Sequence, residues 1–274
     1  MNVLEAPEVS PAAILNLQGR VALVTGAGQG IGRDITRKLA GCGARGVVVN
    51  DYVAERAQSV AAELIAMGSE AIGVQGDVTS LESVRALTAK AIERFGHIDI
   101  LVNNAGNGGA SPPGEMSKPF WQTSPEIWNA HLGVNLYGVL NCVSAVVPGM
   151  VERKRGRIIT IISEAGRVGE PGLEVYSAAK AGASGFTRAI ARGLGRYNIL
   201  ANTVSVAATM TPATEDALNA LPPEERKRWL DKYVVRRFGL PADVANMVTF
   251  LASDSSSWIT GQNYPVNGGF SFAL

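Results

Sequence analysis

Seven short runs of β-branched and aliphatic residues recur along this chain, separated by stretches with helical periodicity. The runs are "RVALVTG" (20–26), "GVVVND" (46–51), "EAIGVQGDV" (70–78), "DILVNNAG" (99–106), "GRIITIIS" (156–163), "ILANTVSV" (199–206) and "GQNYPVNGG" (261–269). Most are apolar without alternation, so strands built from them must be covered on both faces. Strand–helix alternation of this kind predicts the α/β class: a doubly wound parallel sheet of about seven strands, three-layer α/β/α. The 274 residues suit one core of this type, because single α/β domains reach about 250 residues. We expect an N-terminal extension over 1–16 and a single unit over 17–274.

Two segments break the rhythm, 107–125 and 207–239. The second holds "ALNALPPEERKRWLDKYVV", which reads as short helices interrupted by Pro222 and Pro223. A long insertion at the C-terminal edge of such a sheet is a candidate lid. Thr79 or Ser80 is expected to cap one helix, and a long helix opens with Thr123, Pro125 and Glu126, a start like a capping box.

Charge narrows the function classes. With 25 basic and 24 acidic residues, net +1, nothing calls for nucleic acid or an anionic membrane surface. The run "ERKRGR" (152–157) reads as a solvated helix end. Cys42 and Cys142 form no C-x-x-C pair and sit in no His cluster, so neither a metal site nor a disulfide framework is expected. The opening "MNVLEAPEVSPAAILNL" carries no Lys or Arg and does not read as a secretory leader. No continuous run of 18 apolar residues marks a membrane span. These features predict a cytoplasmic protein.

"TGAGQGIG" (25–32) lies between the first strand and the first helix. Glycines there permit a tight turn and let a pyrophosphate approach the backbone, and the helix N-terminus offers free N–H groups and a positive dipole end. A glycine-rich turn in that context predicts a dinucleotide site.

The G-x-x-x-G-x-G spacing resembles the short-chain dehydrogenase/reductase family, and further motifs follow in order: "NNAG" (103–106), Asn135 in "VNLYG", Ser163, and "YSAAK" (176–180). The match runs from about Leu17 to Phe270 and implies a Rossmann-like fold. It implies a nicotinamide cofactor held by main-chain contacts at Gly26, Gln29, Gly30, Ile31 and Gly32. Asp77 and Val78 would hold the adenine, and Asn104, Ala105 and Gly106 would line the ribose and pyrophosphate side. Asp51, at the end of strand two, would accept hydrogen bonds from the adenine ribose and repel a 2′-phosphate, so NAD is expected over NADP. Its alternative is a loop-capping Asp. Tyr52 would pack near the adenosine, and Arg33 would point away.

The same resemblance implies the catalytic set Asn135, Ser163, Tyr176 and Lys180. Tyr176 would be the general acid/base. Lys180, one turn later on the same helix face, would favour the phenolate and reach the nicotinamide ribose. Ser163 would hold the substrate oxygen, and Asn135 a water that links Lys180 to solvent. His97 and His131 belong to no motif and read as structural.

Two departures stand out. The family's N-x-V-x-P-G-x-[I/V]-x-T becomes "NTVSVAATMT" (202–211), with Val206 and Ala207 in place of Pro and Gly. The cofactor-side Thr209 and Thr211 would still contact the carboxamide region, on a turn that has lost its preset. Glu164, directly after Ser163, would either shape a polar pocket or turn to solvent.

The substrate pocket should draw on 164–173, the region after Gly106, and 208–235, which together hold Phe120, Trp121, Leu218, Leu221, Trp229 and Tyr233. That suits a bulky alcohol or ketone: a steroid, an alicyclic alcohol or a 3-hydroxyacyl thioester. Arg226, Lys227, Arg228, Arg236 and Arg237 would either meet a coenzyme A phosphate or form a solvated lid face. The sequence thus predicts an NAD-dependent oxidoreductase of secondary alcohols and ketones. The alternative is a non-catalytic NAD-sensing regulator on the same fold. The family resemblance further implies a homotetramer or homodimer, formed through helices four and five and the C-terminal strand with its apolar "FSFAL" end.

Overall fold

A computed structural model describes residues 14–107 and 118–272. The strands are β1 (Val21–Val24), β2 (Gly46–Asp51), β3 (Ala71–Gln75), β4 (Ile100–Asn103), β5 (Gly156–Ser163), β6 (Ile199–Val206) and β7 (Asn263–Val266). They form one sheet in the order β3-β2-β1-β4-β5-β6-β7, and every pairing is parallel.

Both faces of the sheet are covered, as the unbroken apolar runs require. Ala22 and Val24 of β1 pack into one core with Ile35 and Leu39 of α1 (Gly30–Gly41), Leu64 of α2 (Ala54–Ala66) and Val248 of α10 (Pro241–Ala252). Their neighbours Val21 and Leu23 pack into the other, with Leu87 of α3 (Leu81–Phe95) and Met150 of α5 (Gly138–Arg153). Ala183 of α7 (Glu174–Leu194) joins that second core. Successive side chains of one strand thus serve opposite layers.

Strand order reverses between β1 and β4, so the chain diverges there on either side of a crevice at the carboxyl ends. The register pairs Ser163 with Val206, which sets the end of β5 beside the end of β6.

Two local expectations shift and one open choice is resolved. The long helix of the sequence reading is broken: α4 (Pro125–Leu132) passes through a π-helical turn, Gly133–Tyr137, before α5 begins. Its N-cap is Ser124, not Thr123, whose hydroxyl instead donates to Phe120 O. The run Pro125–Arg153 has a mean hydropathy of 1.5 over its most apolar window and is long enough to cross a membrane by length and composition. Here its inner face packs against α3 and the sheet. Ser80 is the cap of α3, accepting from Ser83 N–H.

The segment 207–239 is clasped at its base. Met210 N–H donates to Gly239 O (2.9 Å) and Gly239 N–H to Ala208 O (3.0 Å). Between those ends lie α8 (Glu215–Asn219) and α9 (Pro223–Leu230), with Pro223 at the first helical position, where its missing N–H costs nothing. Between β5 and α7 sits the single turn α6 (Ala165–Val168).

Candidate active site

The crevice at the strand reversal is a cavity of about 520 Å³. Gly26, Gln29, Gly30, Ile31 and Gly32 line one wall, from the turn between β1 and α1. A methyl group on Gly32 would lie 2.4 Å from Gly26 O, and one on Gly26 would lie 2.8 Å from the Ala105 Cα. Only glycine lets the turn close this tightly against the neighbouring strand. The N-cap of α1, Gln29, makes no side-chain bond to the helix, so the first-turn N–H groups face the cavity without an internal cap. A glycine cradle ending in an uncapped helix N-terminus fits the pyrophosphate of a dinucleotide.

The opposite wall is Asn104, Ala105 and Gly106. It is strapped to the glycine turn. Asn104 Nδ2 donates to Thr25 O (2.9 Å) and Gly26 O (3.0 Å), and Thr25 Oγ1 accepts from the N–H groups of Asn104 (3.1 Å) and Ala105 (3.0 Å).

Asp51, Tyr52, Asp77 and Val78, expected to meet the adenosine, line the same cavity. Asp51 is buried, and both its oxygens are engaged: Oδ2 accepts from Gly28 N–H and Oδ1 from Val53 N–H, each at 3.0 Å. It therefore caps its loop and also presents a carboxylate to the cavity. Asp77 Oδ1 accepts from Thr79 N–H and Thr79 Oγ1, both at 2.8 Å. Arg33 turns outward to Glu63, as its helical position implied. Arg56, which the sequence reading passed over, lines the cavity from the first turn of α2. Counting forward from Asp51 into the helix would have flagged it. Thr211 lines the cavity and closes over Gly30, whereas Thr209 lies in a second cavity of about 600 Å³ with Tyr233 and Gly239.

The remaining predicted residues meet beside Gly106. A methyl group there would sit 2.9 Å from Asn135 Oδ1 and 3.1 Å from Lys180 Nζ, so both atoms border the same small space. Asn135 lies in the π-helical turn. Its Nδ2 donates to His131 O (3.0 Å), Asn107 O and Asn107 Oδ1 (both 3.1 Å), while its buried Oδ1 has no protein donor among the described residues. Lys180 is buried, donates to Ile161 O at 3.0 Å, and has its Nζ 5.7 Å from the Tyr176 ring centre.

Burial pulls the Lys180 ammonium down to about 8. Burial also pushes the Tyr176 phenol up, against the lowering effect of the Ser163 hydroxyl; the nearby Glu170 carboxylate adds to the rise. The charge argument gave the opposite direction for the phenol. Desolvation outweighs it here, because the phenolate form loses its hydration in this setting.

His131, read as structural, stands edge-on to Tyr176 with ring centres 6.3 Å apart, and burial lowers its pKa. No motif marked it; its position one helical turn before Asn135 was the available signal. His97 pairs with Asp99 at 3.0 Å, close to the opposite end of β4. A small recess beside Tyr176 includes Phe120, Thr123, Ile127, His131 and Leu173. Trp121, expected in the pocket, is 80% exposed. The part of the expected pocket over 108–117 lies outside the described residues, as do 1–13 of the N-terminal extension and the last two residues of the C-terminal run.

Comparison with known proteins matches residues 26–271 to a family model described as enoyl-(acyl carrier protein) reductase, a short-chain dehydrogenase/reductase model. This chain is a short-chain dehydrogenase/reductase. It is 40% identical to a 3-oxoacyl-[acyl-carrier-protein] reductase of Synechocystis sp., over 92% of this chain and 97% of that one. It is 38% identical to (2S)-[(R)-hydroxy(phenyl)methyl]succinyl-CoA dehydrogenase subunit BbsD of Thauera aromatica, over 93% and 98%. The crystal structure of gox2181 superposes with a TM-score of 0.87 at 32% identity, covering 94% of this chain and 98% of that one. The chain is accordingly an oxidoreductase of this family.

Proposed function

We propose that this oxidoreductase moves a hydride between a nicotinamide and the carbon of a secondary alcohol or ketone, with Tyr176 as general acid/base. The observation that carries the reading is the buried Lys180, with its Nζ 5.7 Å from the Tyr176 ring centre and bordering the same small space as Asn135 Oδ1, next to a cavity with a glycine cradle. When bound there, the nicotinamide supplies or accepts the hydride. Gly26, Gln29, Gly30, Ile31 and Gly32 would hold its phosphates, and Asp51, Tyr52, Asp77 and Val78 the adenosine.

The raised pKa of Tyr176 keeps its proton near neutrality, which suits donation to a carbonyl oxygen. Ser163 holds the same oxygen and steadies its developing charge. Lys180 stands behind the phenol, and Asn135 Oδ1 offers the acceptor for a water that would return protons from solvent.

The carboxylate of Asp51 favours NAD, since it repels a 2′-phosphate. Arg56, on the same cavity, pulls toward NADP. We favour NAD, because Asp51 is buried and doubly anchored. Among the bulky substrates considered, the names of the relatives support a 3-hydroxyacyl thioester. The segment 207–239 is the lid. Cys42 and Cys142 are free thiols, as suits a reducing, cytoplasmic setting.

The test is the NADH and NADPH absorbance change on steroid, alicyclic and acyl-thioester ketones. Turnover of the thioester with a higher kcat/KM for NADH supports the reading. Preference for NADPH would overturn the cofactor choice. Tyr176→Phe should cost about 10²–10⁴-fold in kcat with cofactor Kd unchanged; an active variant would sink the mechanism.

A further inference from the structure

Directly behind Ser163 lies a polar cluster that the proposed reaction does not use. Glu164 is 2% exposed, and its carboxylate points inward, neither into the cofactor cavity nor to solvent. Arg167 Nη1 donates to both carboxylate oxygens at 2.9 Å, and Ser271 Oγ donates to Oε2. Arg167 also donates to Ser271 Oγ (2.9 Å) and Phe272 O (3.1 Å), and Asn267 Nδ2 to Ser271 O (2.8 Å). These bonds seat the segment after β7 on the turn after β5. Burial alone would raise the Glu164 carboxyl; Ser271, Ser205 and Arg167 together hold it below its ordinary value.

The other side of that segment carries the lid. Val235 N–H donates to Gly268 O (2.8 Å), and a methyl on Gly269 would lie 2.7 Å from Val234 Cβ. The Phe270 ring is 5.5 Å from that of Tyr233, and Tyr233 Oη accepts from Ala208 N–H at 3.2 Å. Ala208 follows Val206 by two residues, and Val206 O accepts from Glu164 N–H at 3.0 Å. The contacts close a ring: Glu164, Ser271, Phe270, Tyr233, Ala208, Val206 and back to Glu164. The β6 exit inside this ring, "VAATMT", has no proline or glycine to preset its turn before Thr211 reaches the cofactor cavity.

We propose that Glu164 is a positioning residue: through Ser271 and Arg167 it seats 267–272 against Tyr233–Val235, and so fixes the Ala207–Thr211 exit and the turn that holds Ser163. The catalytic part of this inference rests on the function proposed above; the lid part stands without it.

The experiment compares Glu164→Ala, Ser271→Ala and Tyr233→Phe, singly and in pairs, in the full chain. Trypsin cleavage at the lid cations Arg228, Lys232 and Arg236 reads lid seating, and NADH titration reads cofactor affinity. We expect each single variant to speed lid cleavage, Glu164→Ala by about tenfold, and to weaken NADH binding in step. The pairs should be no worse than the stronger single, because all three break one ring. Kinetics should show a larger rise in cofactor KM than loss of kcat. Additive effects, or unchanged lid cleavage and NADH affinity in folded Glu164→Ala, would overturn the proposal. If Glu164→Ala does not fold, the pair Ser271→Ala and Tyr233→Phe decides by the same additivity criterion. A wild-type chain that turns over no ketone would defeat the proposed function, while the cleavage comparison would still decide the lid.

Discussion

Lys180 shows what a residue placed for the proposed chemistry costs the fold. It is fully enclosed, with one carbonyl acceptor, and its pKa falls from 10.5 to about 8. Its charged form is therefore disfavoured in the native state relative to the unfolded one. The penalty is complete below pH about 8, where both states are protonated. It shrinks as pH rises toward 10.5, where the unfolded state also loses the proton, and is absent above that. Lys180→Met keeps the aliphatic body and removes the charge. We expect it to raise Tm at pH about 6, by an amount worth at most about 3 kcal/mol, and to converge with wild type near pH 10.5. Activity should collapse in the same variant, a trade of stability against function. Calorimetry across that pH range checks it; a lower Tm at pH 6 would mean that the ammonium stabilises this site. The pairing of Tyr176 and Lys180 was legible in sequence, because i,i+4 spacing fixes a shared helix face. The sign of the phenol's shift was not, because spacing carries no information on desolvation. Glu164 was undecided for a similar reason: its partners Arg167 and Ser271 stand 3 and 107 residues away, and only the fold brings the second to it.

The elements were legible where the signal was local and obscure where it was not. β5 and β6 fall on the runs read for them, 156–163 and 199–206, because buried parallel strands have continuous apolar sequence. Strand order was not in the local pattern, since any parallel neighbour satisfies an apolar run. The π-helical turn at Gly133–Tyr137 was hidden inside an apparently continuous helix, yet it is the element that carries Asn135. The glycine turn allows a sharper test. At Gly32 a methyl group meets Gly26 O at 2.4 Å and Asn104 Nδ2 at 2.5 Å, so the β1–α1 turn and its strap to β4 must both give way. At Gly41, in the last turn of the same helix, a methyl group meets nothing within 4 Å. Gly32→Ala should destabilise by about 1–3 kcal/mol and weaken NADH binding at least about tenfold. Gly41→Ala should stabilise by up to about 1 kcal/mol and leave binding unchanged. Urea unfolding and NADH fluorescence titration separate the two; a Gly32→Ala protein with wild-type affinity would remove the cradle from the argument.

At the scale of the whole molecule, a broad apolar feature lies on the described surface of the helical layers. It is a groove of about 730 Å³ between α5 and α7, lined by Leu140, Val143, Val147, Phe186, Ile190 and Leu194. Burying such a groove against another apolar surface is favourable in proportion to its area, and patches of this kind on soluble chains mark association sites. The occupant we expect is a second copy of this chain. An isologous contact would set α5 and α7 of one protomer on the same pair in its partner, with each groove receiving the other's ridge. This is the helical half of the contact the sequence resemblance implied; the C-terminal strand would supply another. Ala189 lies exposed on the groove wall, so Ala189→Arg adds charge there without disturbing the core. Sedimentation should give a dimer or tetramer for the wild type. Ala189→Arg should shift it to a smaller species with its circular dichroism unchanged. The helix α7 that lines this face also carries Tyr176, the proposed general acid/base. Assembly should make the wild-type Tm rise with protein concentration, whereas the Ala189→Arg species should melt lower and independently of concentration. A wild-type chain that sediments as a monomer at all concentrations would leave the groove without its partner and refute the assembly.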